Sequence, residues 1–391
     1  MHRVTLVFIL FLLIPDLYIY LVYVIRKTQK AFLRSIYWLP TLLLAAGYVY
    51  FMFLTGDNAM SNHTQAIGRL AITIMLFVFP KTIFMLCSLV GVLAHFIIRR
   101  CPRSPFTAIG AVLAIISFLN ILYGTFAGIT RFDIKEVEYC SADIPKGFDG
   151  YRIVQLSDIH IGSWQGNPEA IKQLVDLVNR QKPDLIVFTG DLVNQQSHEL
   201  DGFQEILSQL HAPDGVYSIL GNHDYGSYYH WQSRKAEIAN LDYLIRQQQA
   251  MGWKLLNNEH DILHHNGDSI ALIGVENDGE PPFSQFANLP QAMQGTEGMF
   301  QILLSHNPTH WRREVLPLSD ISLMLAGHTH AMQSILFGHS LAELIYPEWK
   351  GMYYEGNRAL YVNIGIGYVG LPFRFGAWPE ITVLTLVSMP D

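Results

Sequence analysis

Five short polar clusters, each following an apolar run, hold the residues best suited to chemistry. They read Ser157-Asp158-Ile159-His160, Gly190-Asp191, Gly221-Asn222-His223-Asp224, Ser305-His306-Asn307 and Gly327-His328-Thr329-His330. Together they supply carboxylates, amide oxygens and several imidazoles. A mixed oxygen and nitrogen set of this kind suits a pair of borderline divalent metals with positions left open for water. The reaction class it points to is metal-assisted attack of hydroxide on a phosphoester. Other histidines (His198, His211, His260, His264, His265, His310 and His339) have no such spacing and read as ordinary core or surface residues.

Each cluster needs an element to deliver it. Residues 152–156, 184–189 and 216–220 are short apolar runs that read as buried strands, and each ends at a cluster. Residues 168–181 carry Ile171, Leu174, Val175 and Val178 on one helical stripe. A further helix is expected near 199–210. Strand, cluster, helix, strand, cluster is βαβ alternation, and ligands in such sheets gather outside the carboxyl ends of the strands. Residues 300–304 and 321–326 deliver the last two clusters by the same rule. Residues 228–250 look helical. Short alternating strands from 253 to 275 predict a second, more antiparallel sheet, closed by 361–364 and 381–387. Residues 133–140 read as a strand with one exposed face, and Cys140 within it as a buried free thiol. Gly190, Gly221 and Gly327 allow sharp exits from the strands.

The 391 residues are 50% hydrophobic and 15% charged, but the two halves differ. Residues 1–130 contain ten Lys or Arg against two acidic residues, Asp16 and Asp57, a net +8; the whole chain is −7, which leaves −15 for residues 131–391. An acidic catalytic half argues against nucleic acid as a partner. Apolar stretches at about 4–24, 36–54, 70–98 and 106–129 match the ~20 residues that cross a hydrocarbon core. We therefore expect an all-α four-helix membrane domain over residues 1–130 and an α/β domain over 131–391. The first and third loops are basic (Arg26, Lys27, Lys30 and Arg34; Arg99, Arg100 and Arg103), whereas the second, 55–65, has no Lys or Arg. Positive loops face the cytoplasm, which puts the catalytic half outside an inner, cytoplasmic membrane. Asp16 and Lys81 fall inside spans at similar depth and are expected to pair.

In its five clusters the chain resembles the calcineurin-like metallophosphoesterase superfamily, whose pattern is D-x-H, GD, GNH[DE], a later His, and GHxH. Residues 360–367, 372–376 and 379–382 resemble its bacterial membrane-anchored branch; Ala331 stands where a Gly is common. The resemblance implies a four-layer α/β/β/α sandwich and two divalent ions, Mn, Zn or Fe. Asp158, His160 and His330 would hold one, Asn222, His306 and His328 the other, with Asp191 bridging. It implies a phosphoric ester hydrolase using metal-bound hydroxide on a monoester, diester or pyrophosphate; the membrane anchor suggests a lipid-borne substrate. His223 is expected to protonate the leaving oxygen or stabilise the transition state, and Asp224 to orient His223, with a cap or turn role as the alternative. Arg374 is a candidate for substrate phosphate, with a surface salt bridge as the alternative. Tyr225, Tyr228, Tyr229 and Trp231 would form an aromatic rim or pack a helix. The competing classes are a noncatalytic metal-binding scaffold, which should have lost ligands, and a regulatory domain attached to a transporter.

Overall fold

The computed structural model describes residues 2–53, 56, 58 and 62–390. Leu54 and Asp57, expected at the end of the second span and in the second loop, lie outside the described residues. The chain forms two compact units. One is Met1–Ala127 with Gly370–Phe373, the other Gly128–Val369 with Arg374–Asp391.

The first unit is helical. Its membrane-length stretches are Val7–Lys27, Ala31–Phe53, Thr64–Ile97 and Ser104–Thr130. Helix α1 (His2–Ile19) passes through a π-helical turn, Tyr20–Val24, before α2 (Leu39–Phe53), α3 (Thr64–Ile97) and α4 (Ser104–Phe126). The 34 residues of α3 span roughly 51 Å, well beyond a ~30 Å hydrocarbon core. Helices α3 and α4 approach closely at glycines. A Cβ on Gly91 would sit 2.8 Å from Phe106 Cβ, and one on Gly110 2.8 Å from Cys87 Cβ.

The expected Asp16–Lys81 pair is present, with Lys81 Nζ 2.7 and 3.0 Å from the two carboxylate oxygens. Sequence did not reveal its other partners. Tyr37 donates its hydroxyl to Asp16 Oδ1 at 2.8 Å and Thr41 donates to Oδ2. Asp16 is thereby buried with its charge fully engaged, as hydrocarbon requires.

The second unit is built on two six-stranded sheets. The first has the order β1 (Asp133–Ser141), β12 (Glu380–Ser388), β2 (Arg152–Leu156), β3 (Leu185–Phe188), β4 (Val216–Ser218), β5 (Trp253–Leu255). The second runs β10 (Gly351–Glu355), β11 (Arg358–Val362), β9 (Leu323–Ala326), β8 (Gln301–Leu304), β7 (Asp268–Gly274), β6 (Glu259–His265). Period-2 alternation explains the layering. Ile153, Leu185, Val187, Ile302, Leu304, Leu323 and Leu325 form one core between the sheets. Their neighbours Val154, Ile186 and Phe188 face the other way, onto Ile171, Leu174 and Val178 of α5 (Pro168–Arg180) and Leu244 of α6 (Arg234–Ala250). Leu303, Met324 and Ala326 pack outward on Trp311 and Val315. The result is the expected α/β/β/α sandwich.

Several local expectations are corrected. The second sheet is parallel through β7, β8, β9 and β11, with only its two edge pairs antiparallel. Strand β5 joins the first sheet beside β4, and β12 lies there between β1 and β2. The helix expected at 199–210 is a 3₁₀ turn, Ser197–Leu200, and a short helix, Gln204–Leu207. Residues 228–233 are irregular; α6 starts at Arg234, where the Ser233 hydroxyl caps it by accepting from Ala236 N. Cys140 is exposed rather than buried, because Tyr139 takes the inward position of that edge strand.

Candidate metal centre

The five clusters leave the carboxyl ends of β2, β3 and β4 in one sheet and of β8 and β9 in the other. The loops then tie to one another. Asp158 N donates to Gly190 O at 2.9 Å, His160 N to Asp191 O at 3.1 Å and Gly327 N to His306 O at 2.9 Å. The backbone bends sharply to aim the side chains. Asp158, His160, Asp191, His328 and His330 all have positive φ, between 46° and 74°. Such conformations are costly outside glycine and concentrate at functional sites. The glycines are needed for closeness. A Cβ on Gly190 would lie 2.6 Å from Gly221 N, and one on Gly221 would overlap Asp191 Oδ1.

Each of two buried carboxylates gives one oxygen to the fold and presents the other to imidazoles. Asp158 Oδ2 accepts from Ser157 Oγ at 2.5 Å and His328 N at 2.9 Å. Its Oδ1 has no hydrogen-bond donor and lies 3.2 Å from His330 Nε2 and 3.9 Å from His160 Nε2. Asp191 Oδ1 accepts from His223 N at 2.8 Å, while Oδ2 is 3.2 Å from His306 Nε2 and 3.6 Å from His160 Nε2. Ring nitrogens also face each other, His160 Nε2 to His330 Nε2 at 3.1 Å and His306 Nε2 to His328 Nδ1 at 3.3 Å. Asn222 gives Nδ2 to the Tyr228 hydroxyl at 2.9 Å and leaves Oδ1 buried without a partner.

These are the properties of a cation site. A four-coordinate ion at ~2.0–2.1 Å from its ligands sets them ~3.3 Å apart, close to the spacings here. An orphaned carboxylate or amide oxygen otherwise carries an uncompensated burial cost. Asp158, His160 and His330 form one compact group and Asp191, His306 and His328 another; His160, Asp191 and His223 form a third that overlaps both.

The electrostatics agree. Burial would raise the Asp158 carboxyl, but His330 and His306 hold it well below the usual range. Burial opposes a charge on His306 too, yet Asp191 lifts it to about 9, so a proton stands in for positive charge there. Burial and the neighbouring His306 push His328 down to about 3.

Two sequence assignments change. Asp224 does not reach for His223. Its carboxylate accepts from four backbone amides, those of Asp191, Leu192, Val193 and Gly221, at 2.8 to 3.2 Å. Burial and the Asp191 charge still push it up to about 7. The group on His223 Nδ1 is instead the carbonyl of Asn194, at 2.5 Å. Half-buried His223 packs on the rings of His160 and Tyr228, with centroids 4.8 and 4.5 Å apart. Arg374 is fully buried rather than in a surface salt bridge. It donates to the carbonyls of Gly367, Ala377 and Ile364 and, at 3.0 Å, to His330 Nδ1. Of the expected aromatic rim, Tyr228 meets the centre, whereas Tyr225 bonds Glu276 and Trp231 donates to Gly226 O.

Three contributors had no signal in the sequence. Tyr346 places its hydroxyl 3.0 Å from His328 Nε2, and Phe283 stands edge-on to the His328 ring at 4.7 Å. His310, read as a bystander, is buried between Asp278 and Glu314 at 3.5 and 3.0 Å. Arg313 also pairs with Asp278, so this cluster pins the loop that carries Phe283.

Residues 151–332 match the family described as calcineurin-like phosphoesterase. Residues 2–129 match one described as a probable calcineurin-like phosphoesterase transmembrane domain. An uncharacterized metallophosphoesterase of Bacillus subtilis, YkuE, is 35% identical over 262 residues, covering 63% of this chain and 83% of that one. An uncharacterized metallophosphoesterase of Helicobacter pylori J99 is 28% identical and covers 92% of both chains. A transmembrane protein with metallophosphoesterase domain from Danio rerio is 32% identical over 70% of this chain; the chain spans 61% of its length.

Proposed function

The chain belongs to the calcineurin-like phosphoesterase family as an integral membrane protein, and from that premise we propose a binuclear-metal phosphoesterase acting outside the cytoplasmic membrane. The observation that carries the reading is a pair of buried oxygens with no hydrogen-bond donor, Asp158 Oδ1, which faces the imidazoles of His330 and His160, and Asn222 Oδ1. Asp158, His160 and His330 would hold one divalent ion and Asn222, His306 and His328 the other, with Asp191 shared. Ions held there supply a water of lowered pKa and offset charge on a phosphoryl group.

The chain's own residues do the rest. Asp224 keeps the loops after β3 and β4 at fixed spacing. Arg374 holds His330 by its Nδ1. With Nδ1 fixed by Asn194 O, His223 as an imidazolium has Nε2 free to protonate the leaving oxygen. Tyr228, Phe283 and Tyr346 wall the approach. The outward orientation rests on the basic first and third loops, and a lipid-borne phosphoester or pyrophosphate is the substrate class suggested by the spans. No candidate ligand is missing, which counts against the noncatalytic scaffold.

The test is turnover of monoester, diester and lipid-pyrophosphate substrates by the purified full chain with Mn²⁺, Zn²⁺ or Fe²⁺ supplied. Asp191→Asn should lose bound metal and activity together; near-normal turnover by this variant ends the binuclear reading. His223→Ala should keep its metal content and lose ~10²–10⁴-fold in rate, the usual contribution of a positioned proton donor. A tag at residue 391 reachable only from the cytoplasm would reverse the orientation.

A further inference from the structure

Single exposed apolar residues are normal on a protein surface, whereas a contiguous group marks contact with something else. Between Leu336 and Ile345, five large apolar side chains are exposed: Leu336 50%, Phe337 101%, Leu341 68%, Leu344 82% and Ile345 57%. We propose that this segment inserts into the interface of the bilayer that the chain itself spans. It would thereby bring the metal centre to headgroup level; that second clause rests on the phosphoesterase reading above.

The segment is a built platform. Ile335 N donates to Phe375 O at 2.8 Å, and Leu336 and His339 exchange both backbone bonds at 2.9 and 3.0 Å. The two-residue turn between them, Phe337 (φ 53°) and Gly338 (φ 86°), has the paired positive φ of a type I′ hairpin. Asn or Asp normally takes the first position of such a turn, and a bulky residue there is a backbone outlier. The fold accepts that cost to hold an aromatic ring at the tip. Next comes a 3₁₀ turn, Leu341–Leu344, closed by a capping box of Ser340 and Glu343. Ala342 faces inward onto Ala331, Trp349 and Ile364, which turns Leu341, Leu344 and Ile345 outward. Glu343 is tied to Ser340 N and His339 Nδ1 at 3.0 and 3.1 Å, and residues 335–346 contain no Lys or Arg.

A bilayer is the occupant the chain itself specifies. Its four membrane-length stretches tether every copy to one. Apolar side chains on an ordered face suit the headgroup and acyl boundary. The segments flanking the platform reach the centre. Ala331 follows His330, and Tyr346 meets His328.

The full chain, with Cys87→Ala, Cys101→Ser, Cys140→Ser and Phe337→Cys, can be spin-labelled and placed one copy per nanodisc of phosphatidylethanolamine and phosphatidylglycerol. Collision with oxygen against a water-soluble nickel chelate then reads depth. The label should lie ~5–10 Å below the lipid phosphates, whereas a label at exposed Asn266→Cys stays open to nickel. Equal nickel access at the two sites overturns the insertion. So does shielding seen only in discs holding two copies, which would make the patch a face for a second chain.

A second variant, Phe337→Ser with Leu341→Ser and Leu344→Ser, should raise KM for a bilayer-borne phosphoester by ~10-fold, equivalent to 1.4 kcal/mol. Turnover of the soluble ester p-nitrophenyl phosphate should not change. Equal loss on both substrates counts against membrane docking. A chain inactive on every ester sinks the phosphoesterase reading alone, and label depth still decides the insertion.

Discussion

Asp224 works as a fastener. Four backbone amides from two loops converge on its carboxylate. Hydrogen bonds to a charged group contribute ~1.5–3 kcal/mol each, and orphaned buried donors add a further cost. Asp224→Ala should therefore lower unfolding stability by ~3 kcal/mol or more and loosen metal binding, read by denaturant titration and metal content. A variant as stable as wild type, with turnover alone altered, would restore Asp224 as a relay to His223. Arg374 is similar: removing its guanidinium strands three carbonyls and His330 Nδ1. The candidate ligands at the strand ends were legible because Asp158, Asp191, His306 and His328 each follow an apolar run. What orients them was not. Asn194 acts through its carbonyl, which every residue has, and Tyr346 and Phe283 arrive from loops without a motif.

Strands and their partners explain where sequence patterning stops. A run such as 152–156 announces a buried strand, because it places apolar residues on both faces, Val154 and Leu156 on one and Ile153 on the other. It does not announce its neighbour. Strand β12 alternates like any strand, yet pairs parallel to β1 on one side and antiparallel to β2 on the other, a choice made by long-range packing. The aromatic stretch before α6 looked helical by composition, but Gly226 has φ 71° and Ser233 caps the helix. At the start of β12, Glu380 is buried and accepts from Tyr361 Oη and Thr382 Oγ1, both at 2.9 Å. Burial raises its pKa. Its folded value exceeds its unfolded one, so its contribution is full below about pH 4.3 and fades as pH rises through the folded value. Glu380→Gln keeps an accepting oxygen and never ionises. Its thermal midpoint should gain on wild type as pH rises above about 4.3, ~2–4 °C for each 1 kcal/mol. A constant gap across that range would show that Glu380 does not titrate there.

At the scale of the whole chain, the helical unit rests on one buried charge cluster. Asp16→Asn leaves Lys81 without a counter-charge, and breaking a buried pair from one side costs ~3–5 kcal/mol. The thermal midpoint in detergent should drop for Asp16→Asn and largely recover when Lys81→Met is added. If each single change is silent, the pair does not hold the helices. The order of the first sheet has a consequence in time. Strand β1 leaves the ribosome early, yet its sheet partner is β12, paired from Asp133↔Glu380 to Ser141↔Ser388. Until Glu380 has been synthesised, β1 waits unpaired and β2 presents an open edge to chaperones and to other nascent chains. A polypeptide stalled short of that point would carry every proposed metal ligand and still lack the strand that joins β1 to β2.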